Sequence, residues 1–147
     1  MSTIYIGADH AGFDLKEKVA AKLKENGHEV EDLTPAPIDL DDDYPGVAEK
    51  VAKAVLANNA KGILLCGSGN GICVAANKIK GIRAALGYNI QAAKWAREHL
   101  DANILCLAGR VLNPDYANVI VKDWLATPFT GEERHVRRIG QIKKLES

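Results

Sequence analysis

A glycine-rich segment, CGSGNGI, runs from Cys66 to Ile72 and carries the strongest chemical signal in the sequence. It separates an apolar run from an amphipathic one, so it predicts a strand, a tight loop and a helix. Its alternate glycines, Gly67, Gly69 and Gly71, let the backbone turn and present N–H groups at a helix N-terminus, where an anion or a developing oxyanion is stabilised. A glycine-rich connection without chemistry explains the pattern equally well.

A dinucleotide-binding loop is the weaker interpretation of this segment. The pattern GxGxxG would require glycine where Ile72 stands, and no acidic residue follows at the ribose-binding distance. No Asp or Glu occurs between Glu49 and Glu98, whereas lysines and arginines are frequent there. The segment therefore favours a small anion over a metal ion.

Cys66 ends the apolar run and stands at the mouth of the glycine loop. A free cysteine is commonly a small buried hydrophobic residue, which is our interpretation of Cys73 and Cys106. A thiol beside a helix N-terminus is instead biased towards the thiolate, which is the reactive form. We therefore expect Cys66 to act as a nucleophile or a base.

The segment ADHAG, residues 8–12, places Asp9 and His10 at the end of the first predicted strand. In an open α/β sheet this strand end lies next to the one at Cys66, although capping of the next helix is the alternative role of Asp9. His99 lies near the end of a predicted helix, where a cation at a helix C-terminus is the alternative. These residues come from separate segments without a close ligand pair, so we expect no metal.

The C-terminal segment ERHVRRIGQIKK predicts a basic helix. Arg134 and Arg138, four residues apart, share one face, with His135 and Arg137 beside them. A pair of guanidinium groups suits a phosphate better than lysines do. A solvated helix or an RNA contact is the alternative, which few aromatic residues and a formal net charge of +0 disfavour.

Length and composition predict one globular domain, because 147 residues with 47% hydrophobic and 26% charged side chains build a single core. Lys plus Arg and Asp plus Glu both total 19, so no global field attracts nucleic acid or a membrane. The sequence has neither a membrane-length apolar run nor a signal-like start, and we expect a cytosolic protein. The three cysteines predict free thiols rather than a disulfide framework.

Short apolar runs alternate with longer amphipathic ones, which is typical of βα units in a parallel sheet. The predicted strands are residues 3–9, 28–33, 62–66, 82–86 and 103–107. The predicted helices are residues 14–26, with Asp14 as a possible cap, then 46–59, 70–79, 90–100, 114–125 and 131–147. The segments GILLC and ILCLA are apolar on both faces, as inner strands are.

These elements predict a three-layer α/β/α, Rossmann-like fold in which residues 1–147 form one domain, because no linker or repeat divides them. Residues 34–45 are rich in Pro and Asp and predict a surface loop, in which the acidic run Asp39–Asp43 lacks EF-hand spacing and is solvated. The basic last helix is expected to reach beyond the globule. Ligands in such sheets bind beyond the carboxyl ends of the strands, where the strand order reverses.

Several motifs, in their order along the chain, carry a family resemblance: GADHAG, DYP, CGSGNGICVAANKIKGIRAAL, REHLDAN, GR at Gly109–Arg110, and ERHVRR. Together they resemble the type B ribose-5-phosphate isomerases and their galactose-6-phosphate isomerase relatives. The resemblance covers nearly the whole chain, and the block from Cys66 to Leu86 is its most specific part. It implies a five-stranded parallel sheet, no metal, and a homodimer or dimer of dimers whose active sites are shared across the subunit interface.

The resemblance also implies catalytic roles. Cys66 matches the base that moves a proton between C1 and C2 of the sugar, whereas a second branch of the family has Glu at the position of Ile72. His99 matches the ring-opening histidine, which is assisted by residues matching Asp9 and Ser68.

Substrate-binding roles follow from the same resemblance. His10, Arg110, Arg134 and Arg138 match the residues that bind the phosphate of the substrate. The sugar and its enediolate are expected at the loop residues Gly67, Gly69, Asn70 and Gly71 and at Leu100. Position 100 is commonly Asn in the family, so Leu100 is the one visible departure from the pattern.

Aldose–ketose isomerisation requires a base above the C1–C2 bond, donors for the enediolate oxygen, a proton donor for ring opening and an anchor for the phosphate. The sequence offers a group for each, so we expect a cofactor-free isomerase of ribose 5-phosphate and ribulose 5-phosphate. An isomerase of a hexose 6-phosphate, of the allose or galactose type, is the nearest alternative. A phosphatase or acyl-transferring hydrolase with Cys66 as nucleophile, and a nucleotide- or nucleic-acid-binding module, are the more distant ones.

Overall fold

The computed structural model describes residues 3–146, so Met1, Ser2 and Ser147 of the predicted domain lie outside the described residues. Strands and helices alternate along the chain. The strands are β1 (Thr3–Ala8), β2 (Glu29–Asp32), β3 (Lys61–Cys66), β4 (Ala84–Leu86) and β5 (Ile104–Ala108). The helices are α1 (Phe13–Glu25), α2 (Tyr44–Asn58), α3 (Asn70–Asn77), α4 (Ile90–Leu100), α5 (Pro114–Ala126) and α6 (Glu133–Lys144).

The five strands form one parallel sheet in the order β2-β1-β3-β5-β4, which confirms the predicted five-stranded Rossmann-like fold. The chain leaves β1 towards one edge and returns to build the other half from β3, so the strand order reverses between β1 and β3. In register, Ala8 lies opposite Leu65, and Cys66 lies opposite Ala108. The carboxyl ends of the three central strands therefore meet.

Helices cover both faces of the sheet and make it the middle of three layers. Ile63 and Leu65 of β3 pack with apolar residues of α1, α4 and α5, including the fully buried Trp124. The intervening Leu64 and Cys66 pack on the opposite side with α2 and α3. Alternation along a strand thus buries both faces of β3, as the uninterrupted apolar run predicts.

Three helix starts differ from the prediction, and that of α6 lies at Glu133 rather than at residue 131. Asp14 is not a cap: α1 begins at Phe13 with Gly12 as its N-cap, so Asp14 lies in the first helical turn. Helix α2 begins at Tyr44 because Asp43 is the extended N-cap residue and Pro45 occupies the first turn, where a fixed φ and a missing N–H are tolerated. The predicted loop of residues 34–45 was therefore too long by two residues.

The last helix does not reach beyond the globule, contrary to the expectation from its basic sequence. Helix α6 packs against α4 and buries His135 and Ile139, which share one face at a spacing of four residues. Just beyond the helix, the Glu146 carboxylate accepts a hydrogen bond from the Gly81 N–H at 3.1 Å. Burial of His135 and Ile139 is thus enough to hold α6 against the domain, although most of its other residues are charged.

Three loops at the carboxyl edge of the sheet pack backbone against backbone. The Gly109 N–H donates to the Cys66 carbonyl at 2.7 Å, and the Asp9 N–H donates to the Leu65 carbonyl at 3.2 Å. A Cβ atom on Gly12 would lie 2.6 Å from the Leu65 carbonyl carbon, and one on Gly109 would lie 2.7 Å from the Gly12 Cα. Only glycine permits this approach, which sets where the three loops stand.

We expect Gly12→Ala to lower the free energy of unfolding by about 1–3 kcal/mol, because the added methyl group meets strand backbone that cannot rotate aside. Gly140→Ala is the matched control, since a Cβ at this position of α6 meets open space. Alanine there should be neutral or stabilising by up to about 1 kcal/mol, given its higher helix propensity. Urea unfolding at equal protein concentration measures both, and equal stability of the two variants would contradict the backbone contact.

Candidate active site

An open cavity of about 570 Å³ lies at the carboxyl ends of β1, β3 and β5. This is where open α/β sheets bind ligands, because the strand order reverses there. The lining residues come from three strand-to-helix loops and from the start of α2: Asp9, His10, Ala11, Tyr44, Cys66, Gly67, Ser68, Gly71, Arg110 and Val111. A separate groove of about 280 Å³ between α1 and α5 contains none of the predicted site residues.

The glycine loop has the predicted strand–loop–helix form. Cys66 ends β3 with 5% of its surface exposed and borders the cavity. Gly69 is the N-cap of α3 with φ +80°, a conformation that favours glycine, and the Asn70 N–H donates to the Ser68 hydroxyl at 3.2 Å. Ile72 is fully buried in the core below.

The other two cysteines lie outside the cavity, and both are free thiols. Cys106 is buried, as predicted, but Cys73 is only partly buried and its thiol contacts the Ala84 carbonyl at 3.5 Å. A hydrogen bond from Cys106 lowers the pKa of Cys73, while that bond and burial raise the pKa of Cys106. The interpretation of Cys73 as a buried hydrophobic residue was therefore wrong in part, because it packs against the core beside β4 and β5 but keeps some exposure.

Asp9 lines the cavity but does not cap the next helix, because Gly12 is the N-cap of α1. Its carboxylate accepts a hydrogen bond from the Gly12 N–H at 3.0 Å, which stabilises the turn before α1. The side chain is 6% exposed and also lines the cavity. A carboxylate fixed by its own turn is thereby held close to the end of β3.

The structure pairs His10 with Asp42, which the sequence assigned to a solvated loop. One carboxylate oxygen of Asp42 accepts from the His10 backbone N–H at 3.1 Å and contacts the ring Nδ1 at 2.8 Å. This hydrogen bond is the main reason why the pKa of His10 is raised, with a smaller contribution from Asp9, while burial and Arg110 oppose it. Asp39, Asp41 and Asp43 are exposed, so the prediction of solvation was wrong only for Asp42.

Tyr44 also lines the cavity, although the sequence assigned it no role beyond its place in the motif DYP. A Cβ on Gly71 would lie 2.6 Å from the Tyr44 ring, so the ring packs directly against the glycine loop. On the other side of this loop, the Arg110 side chain passes 3.4 Å from the corresponding position at Gly67. The alternate glycines therefore make room for two side chains as well as for the turn.

The remaining predicted site residues form a second group on α4 and α6. The His99 ring stacks on His135 with centroids 4.5 Å apart and on Trp95 at 6.1 Å. His135 is buried, and its Nε2 lies 3.5 Å from the Glu132 carboxylate but forms no hydrogen bond within residues 3–146. Burial, and then the positive charges possible at His99 and Arg134, lower the pKa of His135.

Both predicted phosphate-binding arginines of α6 are exposed. Arg134 pairs with Glu132 at 2.8 Å, and Arg138 lies one turn further along the same face. Arg137 forms a similar ion pair with Glu133 at 2.6 Å.

This second group lies far from Cys66 in the same chain. Helix α4 runs antiparallel to the strands, so His99 and Leu100 at its end lie beside the start of β5, and Arg83 donates to the Leu100 carbonyl there at 2.8 Å. Cys66 lies at the opposite, carboxyl end of the strands. The 11 residues of α4 alone span roughly 16 Å. One chain therefore does not bring the predicted base and the predicted ring-opening histidine together.

Neither a metal centre nor a membrane span is found within the described part of the chain. No group of three or more His, Cys, Asp and Glu side chains is arranged there to hold a metal ion. None of the helices in residues 3–146 has the length and apolar composition needed to cross a bilayer.

An open α/β domain whose cavity gathers a thiol, a carboxylate, an imidazole and a guanidinium at the reversal of strand order is typical of enzymes acting on small polar molecules. Comparison with known proteins agrees. The model of the Ribose/Galactose Isomerase family matches residues 4–142. The probable ribose-5-phosphate isomerase B of Mycoplasma pneumoniae is 46% identical over 140 residues, which cover 95% of this chain and 91% of that protein.

Solved structures give the same result. Ribose-5-phosphate isomerase B of Clostridium thermocellum is 45% identical with a TM-score of 0.94, covering 99% of this chain and 97% of that one. The Mycoplasma genitalium protein of the same name, solved with bound ribulose-5-phosphate, is 43% identical with a TM-score of 0.92 and coverages of 98% and 95%. The chain therefore belongs to the ribose/galactose isomerase family and is an isomerase, which confirms the resemblance seen in its motifs.

Proposed function

We propose that this protein interconverts ribose 5-phosphate and ribulose 5-phosphate through an enediolate, with Cys66 as the base. The observation that carries the proposal is the position of Cys66, which borders the cavity at the strand reversal directly before the glycine loop. The ribulose-5-phosphate bound by the Mycoplasma genitalium relative supports a pentose phosphate as the substrate.

The proton transfer uses groups that lie together in one chain. The Cys66 thiolate removes the proton from C2 of the open-chain aldose, and the negative charge passes to O1 of the enediolate. A proton then moves from the C2 hydroxyl to O1, and the Cys66 thiol returns its proton to C1, which leaves the carbonyl at C2. The backbone N–H groups of the loop from Gly67 to Gly71 stabilise the charged enediolate oxygen. A positioned base contributes about 10²–10⁴ in rate, and one oxyanion donor contributes about 10²–10³.

Ring opening requires a group that one chain does not bring to its own cavity. His99 is the proposed proton donor and acceptor, assisted by Asp9 and Ser68, yet His99 lies at the opposite edge of its own sheet. A second copy of the chain, related by a two-fold axis, supplies its own His99 to this cavity and receives the first copy's His99 in return. The working unit is therefore at least a homodimer.

Phosphate binding is divided between the copies in the same way. His10 and Arg110 line the cavity of one chain, and the exposed Arg134 and Arg138 reach it from α6 of the second. Fixing the remote phosphate orients C1 and C2 at the base, so binding energy is used for positioning. The fixed span between base and phosphate favours a five-carbon chain, since an added carbon must buckle or displace one end.

We expect the protein to convert ribose 5-phosphate to ribulose 5-phosphate in the presence of EDTA, with Cys66→Ser lowering kcat by at least about 100-fold at a similar KM. Cys73→Ser is the matched control, since this thiol lies outside the cavity. Absence of turnover by the parent protein would contradict the function, and full activity of Cys66→Ser would contradict its base. A higher kcat/KM for allose 6-phosphate or galactose 6-phosphate would correct the substrate only.

We expect Arg134→Ala and Arg138→Ala each to weaken binding of the phosphorylated substrate by roughly 1.5–3 kcal/mol, the range for hydrogen bonds to charged groups. Arg137→Ala removes the same charge from a neighbouring exposed side chain that has no proposed contact with the phosphate, so it should leave KM nearly unchanged. Steady-state KM and competition by inorganic phosphate provide the measurements. If all three variants behave alike, α6 contributes only a diffuse charge and holds no phosphate.

A further inference from the structure

Asp42 is the one acidic residue of its loop that turns inward. It is partly buried and uses a single carboxylate oxygen, Oδ1, for two contacts with His10, at 3.1 Å to the backbone N–H and 2.8 Å to the ring Nδ1. The two residues are 32 positions apart, so these contacts join the loop before α2 to the end of β1. They fix both the backbone and the ring of a residue that lines the cavity.

The chemistry of the contact determines which ring atom a ligand meets. An ionised carboxylate only accepts hydrogen bonds, so Nδ1 must carry the proton that it donates to Asp42. Nε2 is then the atom left for a ligand. In a neutral ring held this way Nε2 presents a lone pair, which repels an anion, whereas in the protonated ring Nε2–H donates to it.

From this geometry we infer that Asp42 is a positioning residue, which orients the His10 imidazole so that its Nε2–H donates to the phosphate of the substrate. The inference rests on the proposed function, in which His10 binds that phosphate. Asp42 itself need not touch the substrate, because it acts through the ring.

The charges around His10 favour the protonated ring that this role requires. Asp42 and, more weakly, Asp9 raise the pKa of His10, whereas desolvation and Arg110 lower it. Other ionisable groups border the two cavities that His10 lines: Asp39 and Lys50 on the side of Asp42, and Tyr44 and Cys66 on the side of the proposed substrate. A raised pKa means that the ring stays cationic below the altered pKa and loses its charge as the pH rises through it.

The test is the pH dependence of substrate binding in Asp42→Asn. The amide keeps an oxygen for the His10 backbone N–H but removes the charge that holds the ring protonated. We expect KM for ribose 5-phosphate to rise about fivefold to tenfold at pH values between the pKa of His10 in the variant and its raised pKa in the parent. The rise should be smaller at lower pH, where both rings are protonated, and kcat should change little. Asp41→Asn removes the same charge from an exposed neighbour and should leave the profile of the parent unchanged.

Two further variants separate positioning from a general effect on the fold. Asp42→Glu restores the carboxylate and should recover part of the low KM at alkaline pH. In a His10→Asn background, Asp42→Asn should have no additional effect on KM, because the residue through which it acts is gone. The substrate phosphate also titrates in this range, but its contribution is common to all variants and cancels in their ratios.

A measurement without substrate keeps this inference distinct from the proposed function. Titration of the His10 ring, followed by NMR, should show a lower pKa in Asp42→Asn than in the parent and in Asp41→Asn. If the parent lacks isomerase activity, the proposed function and the phosphate role fail together, whatever the titration shows. If the parent is active but Asp42→Asn matches Asp41→Asn in titration or in its KM profile, only the role of Asp42 is overturned.

Discussion

The hydrogen bond from the Gly109 N–H to the Cys66 carbonyl joins two loops at a point where no side chain separates them. Gly12, in the third loop, packs against both of these loops: its Cα lies next to Gly109, and its backbone lies next to the Leu65 carbonyl. The register of the parallel strands brings the loops to one edge, but absent Cβ atoms set their final spacing. The position of the Cys66 thiol relative to Asp9, His10 and Arg110 depends on this contact.

The same connectivity keeps the predicted site residues of α4 away from the carboxyl ends of the strands. In a parallel α/β sheet each helix returns the chain to the amino ends of the strands, so residues at a helix end lie a full strand length from the ligand-binding edge. His99 and Leu100 are in that position. The stack of Trp95, His99 and His135 thus belongs to a different surface of the same chain. The proposed pair of symmetry-related copies would bring the two surfaces together without any change of fold, because each copy carries both.

Local sequence predicts what local interactions determine. The strand ending at Cys66, its glycine loop and α3 follow from apolar patterning and backbone freedom within residues 61–77. The predicted bounds of α4, residues 90–100, are also those of the structure. The pairing of Asp42 with His10 was missed because a run of aspartates in a loop is typically solvated. Only the fold brings Asp42 next to His10, which lies 32 positions away in the sequence. The packing of α6 was also missed. Only His135 and Ile139 are buried in a helix whose other residues are mostly charged, so its sequence pattern indicates a solvated helix. Motif order singles out His99, Arg134 and Arg138 as site residues, and that assignment stays a prediction. Their separation from Cys66 within one chain is visible only in the fold.

The shared site is the central claim, and mixing two defective variants tests it most directly. Cys66→Ser lacks the base and His99→Asn lacks the ring-opening group, so each alone should be nearly inactive. When the two are unfolded, mixed in equal amounts and refolded, half of the dimers combine one chain of each kind. Shared sites then give every mixed dimer one site with both groups intact and one with neither, and about a quarter of the parent's activity returns. Activity no higher than the mean of the two separate variants would show that each chain completes its own site, and would contradict the claim.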